Sequence, residues 1–517
     1  MKRFNVTGTC IPEKHYRVDI SAKLEKIISL VENGDYFVIN RPRQYGKTTT
    51  LATLSRILKD SYIIIRISFE GMGDDSFSTD KNFCSSFVYL LKKSLESQKK
   101  EKLLSFFETR FVPQSFIELS TFLSDFVRIS EGEVVLLIDE VDRASNFSIF
   151  LQFLGMLRSK YLNQLEGLEV SFQSVVLAGV HDIKNIKLSL RSEEEKQYNS
   201  PWNIAAEFDV DMSFSSEEIS SMLKEYAGEH GLEMDILQLS QEIYKYSSGY
   251  PYLVSSICKI IDEKLEKDWT SKGIQKAISK LLEESNTLFD DLIKNVENHS
   301  DISELLHSIL IDDAEITYNP DHSTLSKSFM YGIIKKDEMN KVAISNKIFE
   351  IRLYNYYSAQ LEISKYSNFK PYAPSYKYFD EKGILDMSKV LLRFQDFIQG
   401  NYSDKDGKFY ERQGRLLLIA FIKPIINGHG FYYVESQHSY ERRSDLIISY
   451  GEKEYILELK VWYGEKYHEE GLEQLATYLK SRGQKEGYLA VFNFNKKKEF
   501  TSAWREVRGK RIFEVML

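Results

Sequence analysis

Apolar residues follow two rhythms along this chain. Short unbroken runs occur at Tyr36-Phe-Val-Ile-Asn40, Tyr62-Ile-Ile-Ile-Arg-Ile67, Val134-Val-Leu-Leu-Ile138 and Ser174-Val-Val-Leu-Ala178. Their length and β-branched content predict strands buried on both faces, as a parallel sheet requires. Elsewhere the spacing changes to three and four residues, the mark of amphipathic helices. Residues 49–58 and most of 215–295 follow it, and Ser216-Glu-Glu-Ile-Ser-Ser-Met-Leu-Lys opens on a capping pattern. Residues 300–357 combine helical spacing with short apolar strands around Gly332-Ile-Ile-Lys335 and Lys341-Val-Ala-Ile-Ser345, the outline of a winged-helix-like unit. The stretch 358–385, with Lys370-Pro-Tyr-Ala-Pro-Ser-Tyr376, reads as a linker. Beyond it the pattern predicts a helix at 410–422, a strand at 431–435, an apolar hairpin, a helix at 467–479 and a strand at 487–492.

The hairpin carries the first candidate chemistry. Its apolar runs flank Tyr450-Gly-Glu-Lys453. With Gly451-Glu452 as a two-residue loop, facing residues have numbers that sum to 903, so Asp445 faces Glu458. Cross-strand neighbours lie about 5 Å apart, and opposed like charges are destabilising. A divalent cation would compensate them. Lys460, two residues beyond Glu458, shares that face. Acids and lysines also alternate on ordinary solvated hairpins, so the pattern alone is loose.

Composition narrows the class without deciding it. Hydrophobic residues make up 43% of the 517 and charged residues 28%, ordinary for soluble globular protein of several domains. No apolar run is long enough to span a membrane, and the first residues, Met1-Lys-Arg-Phe-Asn5, lack the apolar core of a signal peptide. The scattered Cys10, Cys84 and Cys258 form no metal or disulfide pattern, so a cytoplasmic, reducing location is expected. The net charge of −8 is unevenly spread. Residues 381–517 carry 23 Lys+Arg against 20 Asp+Glu, whereas 1–380 carry 45 against 56. The basic balance therefore lies in the part that holds Asp445 and Glu458, which permits phosphate-backbone contact.

The second candidate chemistry is at the other end. After the strand 36–40 comes Arg41-Pro-Arg-Gln44-Tyr45-Gly46-Lys47-Thr48-Thr49, then a helix. Strand, glycine turn and helix form a phosphate-binding layout, because backbone N–H groups at a helix N-terminus attract anions. Lys47 would reach the β- and γ-phosphates and Thr48 would ligate Mg²⁺. Arg41 stands where the usual pattern begins with glycine. The buried run 134–138 delivers Asp139 and Glu140 at its C-terminal end, where ligands of α/β sheets lie. Asp139 would hold Mg²⁺ through water, and Glu140 would orient or deprotonate the attacking water. His181 or Asp182, just past the strand 174–178, could sense the γ-phosphate, and Arg191 could contact phosphate.

Several of these segments resemble a known group. Gly8-Thr-Cys-Ile11-Pro12, Tyr16-Arg-Val-Asp19, the Arg41–Thr48 loop, Leu177-Ala-Gly-Val-His-Asp182 and Asn199-Ser-Pro-Trp-Asn-Ile-Ala205 are similar to bacterial AAA-like ATPases related to the STAND and archaeal-type groups. The resemblance covers roughly 5–360. It implies ATP as cofactor, Ile11 and Pro12 near the adenine, and a lid helix opened by Ser248-Gly249-Tyr250-Pro251. It also implies that an initial arginine in the loop need not mean lost binding. The C-terminal order of elements, with Asp…Glu-x-Lys on the hairpin, resembles the PD-(D/E)XK nuclease superfamily over about 385–500. That likeness implies Mg²⁺ or Mn²⁺ on Asp445, Glu458 and the Leu459 carbonyl, with Lys460 holding the nucleophilic water. Glu411 or Glu435 would complete the shell, and Gln474 would contact substrate or the catalytic shell.

The expected architecture is therefore multidomain α/β. A P-loop ATPase core occupies 1–214, a helical lid 215–298, a winged-helix-like unit 299–357, a linker 358–385 and a restriction-endonuclease-like domain 386–517. The winged-helix unit is expected to serve as a packing block rather than a DNA reader. The expected function is ATP-controlled cleavage of nucleic acid, DNA before RNA, in defence against phage or mobile DNA. A homo-oligomer and a protein or phage-derived trigger are compatible partners, a membrane is not. The rival expectations are a nucleotide-dependent scaffold whose terminal domain only binds nucleic acid, and an ATPase of DNA repair or transposition.

Overall fold

The four unbroken apolar runs do form one parallel sheet. The computed structural model describes residues 2–98, 100–180, 202–310, 314–364, 378–379, 384–401, 411–426, 430–433, 446–450, 453–495 and 499–517. They fall into two compact units, Met1–Leu281 with Ser326–Ile333, and Leu282–Leu325 with Ile334–Leu517.

In the first unit helix α1 (Ser21–Glu32) leads to strand β1 (Phe37–Asn40), helix α2 (Lys47–Leu58) and strand β2 (Ile63–Ser68). Helices α3 (Asp80–Ser97), α4 (Glu101–Thr109) and α5 (Phe116–Ile129) precede strand β3 (Val134–Asp139). Helix α6 (Ser148–Leu165) precedes strand β4 (Ser174–Gly179). The sheet order is β1-β4-β3-β2, all parallel. Every residue of β3 and β4 is buried, because both sheet faces are covered. One face packs on α1 and α2 through Leu24, Ile27, Leu51 and Leu54. The other packs on α3, α5 and α6 in a phenylalanine-rich core that includes Phe69, Phe83, Phe87, Phe126, Phe150 and Phe153. This arrangement sends the C-terminal ends of β1, β3 and β4 to one edge.

Four helices follow: α7 (Ser216–His230), α8 (Ile236–Ser247), α9 (Pro251–Lys264) and α10 (Ser271–Glu283). The capping box of α7 is made by Ser215 and Glu218, so the cap lies one residue before the helical run. Pro251 occupies the first turn of α9, where its missing N–H costs nothing. Gly249, at φ +72°, lets the chain pass Phe214, whose carbonyl oxygen would lie 1.9 Å from a Cβ there.

Further on come α11 (Thr287–Asn298), α12 (Ser300–Leu310), α13 (Ser323–Met330) and an antiparallel pair, β5 (Ile334–Lys336) with β6 (Val342–Ile344). That pair is the one the pattern predicts. Helix α14 (Lys347–Ser364) then runs into the stretch read as linker. No proline interrupts the chain between Lys347 and Pro371. Residues 365–377 lie outside the described residues.

The second unit ends in a six-stranded mixed sheet. Helices α15 (Met387–Asn401) and α16 (Glu411–Ile426) precede β7 (Gly430–Tyr433), β8 (Leu446–Tyr450) and β9 (Lys453–Val461). Then come α17 (Glu465–Ser481), β10 (Glu486–Phe492), β11 (Ser502–Val507) and β12 (Lys510–Met516), in the order β11-β12-β10-β9-β8-β7. Strands β9, β10 and β12 are parallel to one another. The hairpin register follows the predicted sum, with Leu446 opposite Leu457 and Tyr450 opposite Lys453. Helix α15 and the β11–β12 hairpin were not foreseen.

Candidate functional site

The loop between β1 and α2 is shaped by two left-handed residues, Gln44 at φ +60° and Gly46 at φ +78°. Gly46 is the cap of α2, and its carbonyl accepts the first helical bond from the Thr50 N–H at 2.8 Å. A glycine is needed there because left-handed backbone penalises a Cβ. Lys47 follows at once and is buried, with 7% of its surface exposed. Its Nζ donates to the carbonyls of Arg41 at 2.9 Å and Pro42 at 3.0 Å. Burial lowers its pKa, while Asp142, Glu140 and Asp139 work in the opposite direction. The loop is therefore curled around its own lysine, with three acids beside it.

Neighbouring segments fix the rest of the loop. The Arg66 guanidinium donates to the Thr48 carbonyl at 3.4 Å. The Cys10 N–H donates to Thr49 Oγ1 at 3.1 Å, which brings the Ile11–Pro12 segment beside the start of α2. His15 Nδ1 accepts from the Ile11 N–H at 2.8 Å and braces that turn. The exceptional Arg41 has a local explanation. Its guanidinium donates to the Phe208 and Val210 carbonyls at 3.3 and 2.7 Å and lies 5.0 Å from the Phe208 ring. Arginine at the loop's first position thus ties it to the chain that leads into α7.

At the end of β3, Asp139 is buried and its Oδ1 accepts from the Glu140 N–H at 3.0 Å. Glu140 is held at φ +53°, an uncommon conformation for a non-glycine residue. Its pKa is raised by burial and by Asp139, with Lys47 opposing. Sequence reasoning missed Asp142. Its Oδ2 accepts from the Val180 N–H at 2.6 Å, and a Cβ on Gly179 would lie 2.9 Å from Oδ1. The acid at 142 thus fixes the exit of β4, and Gly179 makes room for it. The signal was present as one more acid after Asp139-Glu140, but only the β3–β4 pairing reveals its aim. His181, Asp182 and Arg191 lie outside the described residues.

This set suits a nucleotide with Mg²⁺. The α2 N-terminus offers backbone donors, Lys47 offers charge, and Thr48 and Asp139 offer hard oxygens. Mg²⁺ usually keeps several waters and phosphate oxygens, so two protein oxygens are enough for such a site.

In the second unit, β9 places Glu458 and Lys460 on one sheet face. Lys460 Nζ lies 2.9 Å from Glu458 Oε1, and both side chains are largely buried. Helix α17 covers that face, with Gly471 against the Lys460 stem. Leu459 is buried on the other face, and Gln474 lies on the exposed side of α17. Asp445 and Glu435 lie outside the described residues, and Glu411 is the first residue of α16. The registers place Glu458 and Glu514 on the same face, each beside Leu489 of β10. Glu514 is a second feature the sequence reading missed. Its carboxylate lies 2.8 Å from His468 Nε2 and pairs with Arg505. Burial works to raise its pKa, but these partners hold it below the usual carboxylate value. A lone acid inside the apolar run Ile512-Phe-Glu514-Val-Met was the available signal.

Among the described residues no helix is long and apolar enough to cross a membrane. A curated relative, an uncharacterized WD repeat-containing protein of Synechocystis sp., is 20% identical over 266 residues, 50% of this chain. The chain spans about a fifth (21%) of that relative's length. Among solved structures, the Walker-type ATPase of Pyrococcus abyssi aligns with 68% of this chain and 99% of its own, at 14% identity and TM-score 0.47. The RuvB Holliday junction branch migration motor of Thermotoga maritima aligns with 66% and 95%, at 14% identity and TM-score 0.33. The Aeropyrum pernix ORC1 protein in complex with DNA aligns with 66% and 94%, at 13% identity and TM-score 0.31. A family model described as the AAA-like domain matches residues 17–358, well over half of the chain and all four strands of the parallel sheet, so this chain belongs to the AAA-like family.

Proposed function

We propose that the chain is an ATP-binding and ATP-hydrolysing regulator coupled to metal-dependent cleavage of nucleic acid, DNA before RNA. The observation that carries the nucleotide half is Lys47, buried in a loop closed by a left-handed glycine and faced by Asp139, Glu140 and Asp142. Lys47 and the α2 N-terminus would hold phosphates, with Thr49, Tyr45 and Gln44 shaping the loop. Thr48 and Asp139 would hold Mg²⁺, and Glu140 would take the proton of the attacking water. Mg²⁺ would supply charge neutralisation at the phosphates. Ile11 and Pro12 would flank the base, and His181 would sense the phosphate.

The Glu458–Lys460 pair supports the cleavage half. One step beyond Leu446, the same register would bring Asp445 opposite Glu458. Asp445, Glu458 and the Leu459 carbonyl would hold Mg²⁺ or Mn²⁺, Lys460 would hold a water, and Glu435 or Glu411 with Gln474 would complete the shell. The five-part division at 214, 298, 357 and 385 and a role in defence against phage or mobile DNA belong to this reading. A second reading has its own support. Lys460 already pairs with one oxygen of the largely buried Glu458, which suits a domain that binds nucleic acid without cutting it.

Plasmid, linear DNA and RNA incubated with Mg²⁺ or Mn²⁺, with and without ATP, decide between them. Cleavage that is lost in Glu458→Ala and Lys460→Ala supports the first reading. Binding without cleavage under every condition supports the second. An unchanged nucleotide affinity in Lys47→Ala would overturn the nucleotide assignment.

A further inference from the structure

The phosphate loop is gripped from outside at successive residues. Arg41 is tied to Phe208 and Val210. The Arg43 carbonyl accepts from the Tyr250 hydroxyl at 2.5 Å. The Tyr45 ring meets Tyr250 edge-on at 4.4 Å, and its hydroxyl lies 3.3 Å from Ser213 Oγ. Between these, Pro42 is buried against a residue nearly 300 positions away in sequence: a Cβ on Gly332 would lie 2.5 Å from Pro42 Cγ and 2.9 Å from its Cβ. No real Cβ fits there, so the Pro42 ring rests on bare backbone.

Gly332 also has a local task. At φ +69° it ends α13, with its N–H donating to the Phe329 carbonyl at 2.9 Å and the Ile333 N–H donating to the Ser328 carbonyl at 3.0 Å. These are the paired bonds of a Schellman cap. They hold Gly332 rigidly to the helix, and two residues later the chain enters β5.

Pro42 has a second connection, because its carbonyl is one of the two that hold Lys47. We infer that Gly332 is a positioning residue of the nucleotide site, and that the Pro42–Gly332 contact transmits the state of Lys47 to residues 326–333. The inference rests on the nucleotide reading above. When Lys47 turns to a phosphate, the Arg41 and Pro42 carbonyls lose their donor. A buried carbonyl left without a partner is costly, so the Pro42 peptides reorient toward new ones. The ring turns with them, and the rigid cap at Gly332 must follow or lose contact. Conversely, moving Gly332 changes where Lys47 can rest.

A double-mutant cycle on nucleotide affinity tests this in the full chain. Gly332→Ala places a methyl into the Pro42 ring and weakens ADP binding about tenfold. Pro42→Gly removes the ring, and in that background Gly332→Ala changes affinity less than about twofold. Cap strain alone lowers thermal stability equally in both backgrounds and leaves affinity unmoved, which would overturn the inference. Amide exchange gives a second readout. The Tyr331, Gly332 and Ile333 amides change protection when ADP is added to the wild type, and do not in Lys47→Ala. Unchanged protection in an ADP-bound wild type would also overturn it. A wild type that binds no nucleotide instead removes the nucleotide reading on which the inference stands.

Discussion

Glu140 is held in an unfavourable state twice over. Its backbone sits at φ +53°, and burial with the neighbouring Asp139 raises its pKa. A carboxyl whose folded pKa exceeds its unfolded value stabilises the fold below the unfolded value, and that contribution is lost as pH rises through the folded one. Near neutral pH, above the ordinary glutamate range, Glu140 therefore works against folding. Glu140→Gln is expected to raise Tm near neutrality, and the gain should vanish as the pH falls below the ordinary glutamate range. If Glu140 is the general base proposed above, the same variant should slow ATP hydrolysis about 100-fold or more while leaving nucleotide affinity within a few-fold. Thermal melts across pH beside a phosphate-release assay check both halves. At this scale the sequence was readable where a motif is contiguous. Lys47, Asp139 and Glu140 occupy the places their spacing predicts. Asp142 was not, because its aim at Val180 exists only once β3 and β4 pair.

Glycines at element ends separate two costs that a sequence cannot tell apart. Gly249 and Gly231 both have left-handed backbone, at φ +72° and φ +62°. A methyl on Gly231 meets nothing within 4 Å, whereas one on Gly249 runs into the Phe214 carbonyl. Gly231→Ala should cost only the backbone penalty, about 1–2 kcal/mol. Gly249→Ala should cost about 2–4 kcal/mol more, because backbone must move to admit it. Denaturant unfolding of both variants measures the difference, and equal losses would show that the backbone yields at Phe214. Element boundaries were legible where turn chemistry was strong, as in the β8–β9 register and Pro251. The β11–β12 hairpin was not. All of β11 except Val507 is exposed, so it lacks an apolar alternation, and its turn uses Arg508 and Gly509 with positive φ in place of the more usual Asn-Gly.

If the proposed ATPase and cleavage activities share this chain, a pattern of variants is more informative than any single loss. Lys47 belongs to the first compact unit and the Glu458–Lys460 pair to the second. If the first regulates the second, the two sets of changes should fail differently. Lys47→Ala removes charge-assisted bonds to phosphate and should weaken ATP binding about 10- to 100-fold. It should leave the proposed cleavage centre untouched, so that any cleavage persists at a level that ATP alters less than in the wild type. Glu458→Gln keeps size and burial but removes a ligand charge, and should lower cleavage at least about 100-fold with ATP affinity and hydrolysis intact. Lys460→Ala is expected to match it, with the added loss of the Glu458 partner lowering stability. Cleavage and ATP turnover measured on the same preparations decide the matter. Cleavage in Lys47→Ala that responds to ATP as the wild type does would disconnect the two units. Wild-type cleavage in Glu458→Gln would move the catalytic centre away from β9.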